Sequence, residues 1–256
     1  MQKKIYFIAD AHLGLGTAKD SRERERKLVR WLDFVKRDAS AVYLMGDILD
    51  FWFEYKNVVP RGFNRFFGKL AELTDEGIEI HWFIGNHDIW IFDYIPDELG
   101  VIVHKKPEEI DFSGKKFFLA HGDGLSGESK SFRFFRFLFH NRICQKLFAC
   151  IHPRWAIALG HIWSGTWRKS FKECKDDKNF PHSRKDNAHL DRLVAFSKEY
   201  LKKRPDVHFF VYGHRHIMLN SMIAEKSRVI ILGDWIKYFS YGVFDGADFE
   251  IRVFED

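Results

Sequence analysis

The sequence contains few cysteines and no long apolar run. Its three cysteines show no CxxC spacing and cannot all pair with one another, which excludes a disulfide framework and suits a reducing cytoplasm. No segment approaches the roughly 18 apolar residues that a membrane-spanning helix needs. The short apolar stretch near the N-terminus runs directly into polar residues, which is typical of a first strand and not of a signal peptide. These absences predict a soluble or peripheral cytoplasmic protein.

Acidic residues are missing from one long segment. Residues 129–172 contain nine Lys or Arg and no Asp or Glu, although the whole chain has 36 acidic residues and a net charge of only +5. The segment also holds ten aromatic residues. The segment could simply form two helices that pack their apolar sides on the core and expose a basic side to solvent. An ordinary surface helix, however, carries charges of both signs. We therefore predict that residues 129–172 form a basic, aromatic surface that rests against an anionic membrane.

The size and composition predict one large domain. The chain has 256 residues, 46% of them hydrophobic and 30% charged, and single-core folds reach about 250 residues before they usually divide. We find no repeat, no low-complexity tract and no linker rich in Pro, Gly or Ser. A single catalytic domain over residues 1–256 is the expectation, and the oligomeric state is left open.

Apolar runs alternate with helical patterns. Buried strands are predicted at residues 5–9, 41–45, 78–84, 117–120 and 207–212. Apolar residues at helical spacing lie between several of them, for example Leu28, Trp31, Leu32 and Val35. This alternation predicts an α/β layered fold. Further short strands are predicted at residues 229–232, 238–244 and 249–254, and we expect this end of the chain to be antiparallel β.

Chemically capable residues follow each of the five predicted buried strands. The clusters are Asp10-Ala11-His12, Gly46-Asp47, Gly85-Asn86-His87-Asp88, His121-Gly122-Asp123 and Gly213-His214-Arg215-His216. In open α/β sheets the strands deliver their terminal residues into one crevice, where ligands bind. Each cluster alone is weak evidence for a metal site, and Gly-Asp alone is a common turn, but all five in order at strand ends are not expected by coincidence.

The residue types in these clusters favour a catalytic metal pair. Carboxylate, imidazole and amide groups without a thiolate suit Mn, Fe, Zn or a similar divalent ion better than they suit a structural zinc site. Two such ions roughly 3.5–4 Å apart can share one carboxylate, activate a nucleophile and hold phosphoryl oxygens. The sequence therefore predicts a dinuclear hydrolase of phosphate esters or anhydrides.

The five clusters resemble the blocks DxH, GD, GNH(D/E), H and GHxH of the calcineurin-like metallophosphoesterases. The resemblance implies a β-sandwich flanked by helices, and it implies one metal held by Asp10, His12, Asp47 and His216. It implies a second metal held by Asp47, Asn86, His121 and His214, so that Asp47 bridges the two. His87 would then lie beside the scissile phosphate without binding metal. Asp50 and Asp88 are expected either to orient ligands or to be solvated loop acids.

A narrower resemblance covers the stretch that follows His121. The motifs are His121-Gly-Asp-Gly-Leu125, Phe135-Arg136, His140-Asn141, Gln145-Lys-Leu-Phe148, Pro153-Arg154 and Leu232-Gly-Asp-Trp235. They are similar to the UDP-2,3-diacylglucosamine diphosphatases of lipid A synthesis. That family cleaves the pyrophosphate of a UDP-sugar carrying two acyl chains, usually with manganese. Its helical lid insertion corresponds here to residues 125–183.

The resemblance also implies the substrate contacts and contains one departure. The expected contacts are Asn86, His87, Phe135, Phe148, Arg154, Ser164, Arg168 and Lys169. The best-known members of the family carry Arg at the position of His87. Because a departing phosphate has a low pKa, a cation can suffice there, and His can supply a charge or a proton.

Two other functions compete with this prediction. A related phosphoesterase could act on another phosphomonoester, a phosphodiester or nucleic acid, since basic and aromatic residues also bind single strands. The Phe-rich and Leu-rich character of the segment favours a lipid groove instead, so we expect no nucleic-acid partner. A non-catalytic scaffold of the same fold would be expected to lack ligands, whereas every expected ligand position is filled.

Overall fold

Two β-sheets stacked face to face between layers of helices form the body of the protein. The computed structural model describes residues 3–125, 130–160, 162 and 192–255. Within these ranges the strands are β1 (Lys4–Ile8), β2 (Ala39–Leu44), β3 (Glu79–Phe83), β4 (Ile102–His104), β5 (Glu108–Phe112), β6 (Lys115–Leu119), β7 (Val207–Tyr212), β8 (Met218–Ala224), β9 (Ser227–Leu232), β10 (Ser240–Phe244) and β11 (Phe249–Val253). The helices are α1 (Ala18–Val35), α2 (Asn64–Asp75), α3 (Tyr94–Leu99), α4 (Lys130–His140), α5 (Arg142–Ala149), α6 (residues 153–160) and α7 (Arg192–Leu201).

The sheet topology brings several strand ends to one edge. The described strands of the first sheet lie in the order β11-β10-β1-β2-β3-β4, and those of the second in the order β5-β6-β7-β9-β8. Strands β1 to β4 run parallel to one another, and so do β6, β7 and β9, whereas β10, β5 and β8 pair antiparallel with β1, β6 and β9. The predicted α/β layered fold is therefore confirmed.

The expected antiparallel chain end is confirmed for the pairs β8–β9, β10–β11 and β1–β10, with one parallel exception. Strand β9 pairs antiparallel with β8 but parallel with β7. The reason is that β8 and β9 form a hairpin whose second strand lies directly beside β7. As a result β9 ends at the same edge of the sheet as β6 and β7.

Strands with continuous apolar runs were predictable, and three of the four edge strands were not. All five predicted buried runs and the three later ones lie on strands of the structure, with ends that differ by one or two residues in most cases. The strands without a prediction are β4, β5 and β8, and each of them is an edge strand of its sheet. Their side chains are mostly exposed or half-buried, so they lack the apolar signal of a central strand.

The core is divided into layers by strand alternation. On β1 the side chains of Tyr6 and Ile8 pack toward α1 and α2, whereas Phe7 and Ala9 pack between the two sheets. Phe7 stacks on Phe117 of the second sheet with ring centroids 6.2 Å apart. A third apolar layer lies between the second sheet and α7. The order of layers is therefore helix, sheet, sheet, helix, with the strand ends free along one edge.

Helices α4 to α6 lie within the predicted insertion and pack against the loops at that edge. The Trp90 indole N–H donates to the carbonyl of Phe139 on α4 at 2.9 Å. A Cβ at Gly160 of α6 would lie 2.2 Å from the Phe51 ring, so the helix backbone and this ring are in direct contact. None of the described helices is both long and apolar enough to cross a membrane. The boundaries at residues 125 and 183 stay a prediction.

Candidate active site

Seven of the predicted residues converge where the two sheets meet. Strands β1, β2 and β3 contribute from the first sheet, and β6 and β7 contribute from the second. The side chains form three overlapping groups whose ligand atoms lie within 4.8 Å of one another, namely Asp10–His12–His216, His12–Asp47–His87 and Asp47–His121–His214. The site is therefore built at the edge of a sandwich, and not in the crevice of one open sheet.

Asp47 lies at the centre of the cluster. Its Oδ2 atom is 3.3 Å from His121 Nε2, 3.7 Å from His12 Nε2 and 4.0 Å from His87 Nε2. It is the residue common to the second and third groups. A carboxylate in this position can contact two ions at once.

Asp10 and His216 form the other end of the cluster. His216 Nε2 lies 3.3 Å from Asp10 Oδ1, and His12 Nε2 lies 3.8 Å from the same oxygen. The rings of His12 and His216 stack with centroids 5.1 Å apart. His12 therefore lies between Asp10 and Asp47, within reach of both.

The backbone at these strand ends is strained. Positive φ angles occur at Asp10 (55°), His12 (43°), Asp47 (53°), His214 (65°) and His216 (51°). A residue other than glycine in this region costs on the order of 1–3 kcal/mol, and such residues cluster at functional sites. These left-handed residues follow β1, β2 and β7.

Glycine is required where two strand ends approach most closely. A Cβ at Gly85 would lie 2.2 Å from Asp47 Oδ1, and a Cβ at Gly46 would lie 2.5 Å from His121 Nδ1. Gly46 also has a φ of +90°. The glycines thus allow β2, β3 and β6 to bring their side chains together.

Hydrogen bonds orient three of the imidazoles through Nδ1. His121 Nδ1 donates to the carbonyl of Met45 at 2.8 Å, His12 Nδ1 donates to Asp50 at 3.1 Å, and His216 Nδ1 donates to Asp234 at 3.3 Å. In each case Nε2 is directed into the cluster. This is the arrangement that metal-binding histidines use, because the outer partner fixes both tautomer and ring orientation.

Asp50 and Asp88, for which ligand orientation and a solvated loop position were both expected, have different surroundings. Asp50 contacts a ligand side chain, as described above. Asp88 is fully buried and accepts the backbone N–H groups of Gly85, Asp47 and Ile48. Burial and the charge of Asp47 raise the pKa of Asp88 to about 6. Neither residue is a solvated loop acid, and Asp88 acts on the backbone of the ligand-bearing loops.

The donor atoms fit divalent metal ions. Four ligand atoms are buried without a hydrogen-bond partner, namely Asp10 Oδ1, His12 Nε2, Asn86 Oδ1 and His121 Nε2. Leaving a buried polar atom unpaired costs roughly 1–3 kcal/mol, so four in one place need a common explanation. Coordination of cations satisfies all of them. The mixed oxygen and nitrogen donor set suits Mn, Fe or Zn.

The electrostatics of the cluster favour positive charge. Burial disfavours the imidazolium of His12, but Asp10 and Asp50 outweigh it and raise its pKa to about 10. Burial also opposes the charge of His121, yet Asp47 holds its pKa well above the usual range. Burial would raise the pKa of Asp47, but the neighbouring imidazoles hold it well below its ordinary value. The buried carboxylates therefore stabilise cations at the centre.

His87 lies at the wall of the cluster. Its backbone N–H donates to Asp47 Oδ1 at 2.9 Å, and its Nδ1 donates to the carbonyl of Asp50 at 2.9 Å. Burial lowers the pKa of the His87 imidazole, although Asp47 opposes that shift. Its Nε2 is thus fixed toward the centre, at a greater distance from Asp47 than the corresponding atoms of His12 and His121.

An apolar groove opens beside Asn86 and His87. It has an empty volume of about 920 Å³. Its apolar walls include Phe51, Trp90, Phe135, Phe139, Phe148 and Leu159. Trp90 packs against both Phe139 and Phe148, with ring centroids 5.4 and 4.9 Å apart. Of the predicted substrate contacts, Asn86, His87, Phe135 and Phe148 therefore share one groove.

The remaining predicted contacts lie elsewhere or cannot be placed. Arg154 is exposed on α6, where its guanidinium lies 5.8 Å from the Trp155 ring, and it does not line the groove. Ser164, Arg168 and Lys169 lie outside the described residues.

Sequence reasoning gave no role in the site to Asp234 or Trp90. Asp234 lies in the motif Leu232–Trp235, which was used only for the family resemblance, and it follows β9, which was expected in an antiparallel chain end. Its Oδ1 accepts the N–H groups of Ile236, Lys237 and Tyr238, so that Oδ2 is held toward His216. A Gly-Asp pair directly after an apolar strand, as at Gly46-Asp47, was the available signal. The only available signal for Trp90 was that it lies close to His87 in the sequence.

Comparisons with known proteins agree with this geometry. The calcineurin-like phosphoesterase family model matches residues 3–218. A Porphyromonas gingivalis protein named UDP-2,3-diacylglucosamine hydrolase is 44% identical over 261 residues, covering 100% of this chain and 99% of its own length. Proteins of the same name from Photobacterium profundum and Neisseria meningitidis are 27% and 28% identical, covering 98% and 91% of this chain and 97% and 90% of their own lengths. The chain belongs to the calcineurin-like phosphoesterase family.

Proposed function

We propose that this protein hydrolyses the pyrophosphate of UDP-2,3-diacylglucosamine, releasing UMP and 2,3-diacylglucosamine 1-phosphate in lipid A synthesis. The observation that carries the proposal is the apolar groove that opens at Asn86 and His87, next to the metal-ligand cluster. A phosphoesterase of small polar substrates has no use for such a groove. The full-length relatives named UDP-2,3-diacylglucosamine hydrolase support the same substrate.

Two divalent ions, with manganese as the expected metal, would complete the site. The first would be held by Asp10, His12, Asp47 and His216, and the second by Asp47, Asn86, His121 and His214. When bound, such a pair supplies Lewis-acid stabilisation of phosphoryl oxygens and lowers the pKa of a water nucleophile. The protein contributes a rigid frame, because the Nδ1 atoms of His12, His121 and His216 are held by hydrogen bonds.

His87 is proposed to act on the reacting phosphate. Because its Nδ1–H is used by the Asp50 carbonyl, its Nε2 is the atom that can hold or move a proton near the leaving group. A phosphate leaving group has a low pKa and needs little protonation, so a charge or a hydrogen bond from Nε2 suffices. This explains why His87 can stand where other members of the family carry Arg.

The groove is proposed to hold the acyl chains. Phe135, Phe139 and Phe148 are half-buried and face it. Apolar surface removed from water contributes roughly 25 cal/mol per Å², so a two-chain lipid gains substantially from these rings. The pyrophosphate at the head of the chains would then reach Asn86 and His87.

The exposed side of the lid helices is proposed to bind an anionic membrane on its cytoplasmic side. Large apolar side chains are exposed there, including Phe134, Phe137, Ile143, Leu147 and Trp155. Exposed cations lie among them, for example Arg133, Arg142 and Lys146. Each cation near anionic lipid contributes about 1 kcal/mol. Together they would bring the groove to a substrate that resides in the bilayer.

The proposal is tested by comparing UDP-2,3-diacylglucosamine with UDP-N-acetylglucosamine, which carries the same pyrophosphate without the chains. We expect kcat/KM for the acylated substrate to be larger by at least about 100-fold. Phe148→Asp in the groove should remove most of this preference, whereas Phe137→Asp on the exposed side should keep it in detergent. Equal hydrolysis of both sugars by the wild type, or equal effects of the two substitutions, would contradict the acyl-groove assignment.

A further inference from the structure

Among the described residues, Glu54 is a buried acid that lies outside both the metal-ligand cluster and the groove lining. It is 4% exposed. Its Oε1 atom accepts the indole N–H of Trp52 at 3.0 Å, and its Oε2 atom accepts the backbone N–H groups of Phe92, Asp93 and Tyr94 at 2.5, 2.8 and 3.2 Å. Because a buried charge is costly without hydrogen bonds, these donors hold the carboxylate in place, and the carboxylate holds the donors in turn.

The backbone that Glu54 binds is the continuation of the loop after β3. The Asp88 carboxylate binds the start of this loop through the hydrogen bonds described above. Farther along, the Glu54 N–H donates to the Trp90 carbonyl at 3.3 Å, and Phe53 pairs with Trp90 in a parallel β-bridge. Residues 86–94 are therefore bound at the start by one buried carboxylate and at the end by another.

Trp90, in the middle of this loop, joins it to helices α4 and α5. The Trp90 indole N–H donates to the Phe139 carbonyl, and its ring packs against Phe139 and Phe148. The same ring contacts Phe51 and Phe53, with centroids 6.0 and 5.2 Å apart. The position of Trp90 therefore determines how the loop and the two helices meet at the groove.

The Glu54 carboxylate connects this loop to the protein core. Trp52, the donor to Oε1, is fully buried in the core, and its ring lies 5.3 Å from that of Phe67 on α2 and 6.2 Å from that of Tyr94 on α3. The Asp93 side chain makes no capping hydrogen bond at the start of α3, where Glu54 accepts the N–H groups instead. Because one oxygen of Glu54 is bound to the core and the other to the loop, the carboxylate fixes the loop relative to the core.

We propose that Glu54 is a positioning residue for substrate selection, which holds Trp90 where the groove can accept acyl chains. This inference rests on the function proposed above, in which the groove binds those chains. Glu54 is not among the described residues that line the groove, so it acts through Trp90. The loop that carries His87 depends instead on Asp88. Loss of the Glu54 charge should therefore reduce the preference for the acylated substrate and leave the hydrolysis of an unacylated UDP-sugar unchanged.

The first test compares Glu54→Gln with the matched control Glu25→Gln. Glu25 is also 4% exposed, and its Oε1 atom accepts the N–H groups of Arg65 and Phe66 at 2.9 and 3.2 Å, at the start of α2. None of these three residues lines the groove. Both substitutions keep the shape of the side chain and remove its charge, so both should weaken hydrogen bonds to backbone N–H groups and lower Tm. Lower stability alone therefore cannot distinguish the two variants.

The distinguishing readout is the ratio of kcat/KM for UDP-2,3-diacylglucosamine to kcat/KM for UDP-N-acetylglucosamine. We expect Glu54→Gln to lower the first value by roughly tenfold or more, mainly through KM, because a buried N–H group loses its acceptor and the groove wall moves. The second value should stay within about twofold of the wild type, as expected for a distant and independent site. Glu25→Gln should keep the wild-type ratio. An unchanged ratio in Glu54→Gln, or an equal fall in Glu25→Gln, would overturn the proposal.

The second test asks whether Glu54 acts through Trp90. Trp90→Phe removes the hydrogen bond to the Phe139 carbonyl and should lower the same ratio. Effects of residues that act through one contact do not add, so the double variant should lose no more than the larger of the two single losses. Full additivity of the two losses would show that Glu54 does not act through Trp90.

The third test is independent of turnover and uses ¹⁹F NMR of the full chain labelled with 5-fluorotryptophan and loaded with diamagnetic zinc. The chain contains eight Trp, and the resonance that Trp90→Phe removes identifies Trp90. Glu54→Gln should shift or broaden this resonance, and Glu25→Gln should leave it in place; an unmoved resonance in Glu54→Gln would overturn the positioning role. If the resonance moves but the wild type does not prefer the acylated sugar, the proposed function fails and the hold of Glu54 on Trp90 stands. If the wild type and Glu54→Gln prefer the acylated sugar equally, the positioning role fails and the proposed function stands.

Discussion

A single methyl group at Gly85 should disable the metal centre. An ideal Cβ at this position would lie 2.2 Å from Asp47 Oδ1 and 2.5 Å from Asp47 N. Neither partner can yield easily. The Gly85 N–H is held by Asp88 at 2.7 Å, and Asp47 Oδ1 accepts the N–H of His87 at 2.9 Å. In Gly85→Ala the Asp47 carboxylate must therefore move out of its present position, in which it belongs to both the His12–Asp47–His87 group and the Asp47–His121–His214 group.

The size of the effect can be compared with a second glycine. Forcing an extra methyl group into a packed site costs roughly 1–3 kcal/mol, which lowers Tm by about 2–12 °C in a protein of this size. Gly68 lies inside α2, and a Cβ there would meet nothing within 4 Å. Gly68→Ala should instead stabilise the helix by about 0.5–1 kcal/mol. Both variants add one methyl group at a glycine, and the expected changes in the free energy of unfolding have opposite signs.

The assay combines thermal unfolding with metal content after dialysis against manganese and removal of free ion. Gly85→Ala should have a lower Tm, bind less metal than the wild type and lose activity. Gly68→Ala should have an equal or higher Tm and full metal content. If Gly85→Ala retains both ions and full activity, the close approach of β2 and β3 is not what positions Asp47, and the reasoning fails.

Substitutions at three further residues test individual parts of the site. Asp47→Ala should lose metal and abolish turnover, because one carboxylate serves both ions; near-normal activity would show that the ligand assignment is wrong. His87→Ala should lower kcat by roughly 100-fold while metal content stays unchanged, and His87→Arg should retain more activity on a pyrophosphate; equal losses would argue against the leaving-group explanation. Asp234→Asn should weaken metal binding by about 10- to 100-fold, in the range measured for residues that orient metal-bound histidines, and unchanged affinity would show that His216 needs no such partner.

The sequence predicted the metal-ligand cluster because each ligand follows an apolar strand. Asp10, Asp47 and His121 come directly after buried runs, and parallel pairing brings such ends to one edge. The same reasoning failed for Asp234, because whether β9 runs parallel or antiparallel to β7 depends on which strand lies beside it. A local pattern contains no information on that neighbour.

The substrate side of the site was less predictable for a related reason. Helical spacing predicts that Phe135 and Phe139 lie on one face of α4. It does not predict which residue packs against that face. Trp90 contacts both Phe139 and Phe148 from a loop about 50 residues away in sequence. Arg154 has the right charge and lies in the right segment, yet it faces solvent because α6 turns its other side to Phe51. Helix orientation in the assembled fold decides which of these side chains reach the groove.

The measurement that tests the central claim most directly is ³¹P NMR of the manganese-reconstituted protein with UDP-2,3-diacylglucosamine, after the metal has been chelated to sharpen the signals. We expect the pyrophosphate resonances to disappear and to be replaced by those of two phosphomonoesters, UMP and 2,3-diacylglucosamine 1-phosphate. The Asp47→Ala protein should leave the substrate intact. Persistence of the pyrophosphate with wild-type protein that carries two ions per chain would contradict the proposed function.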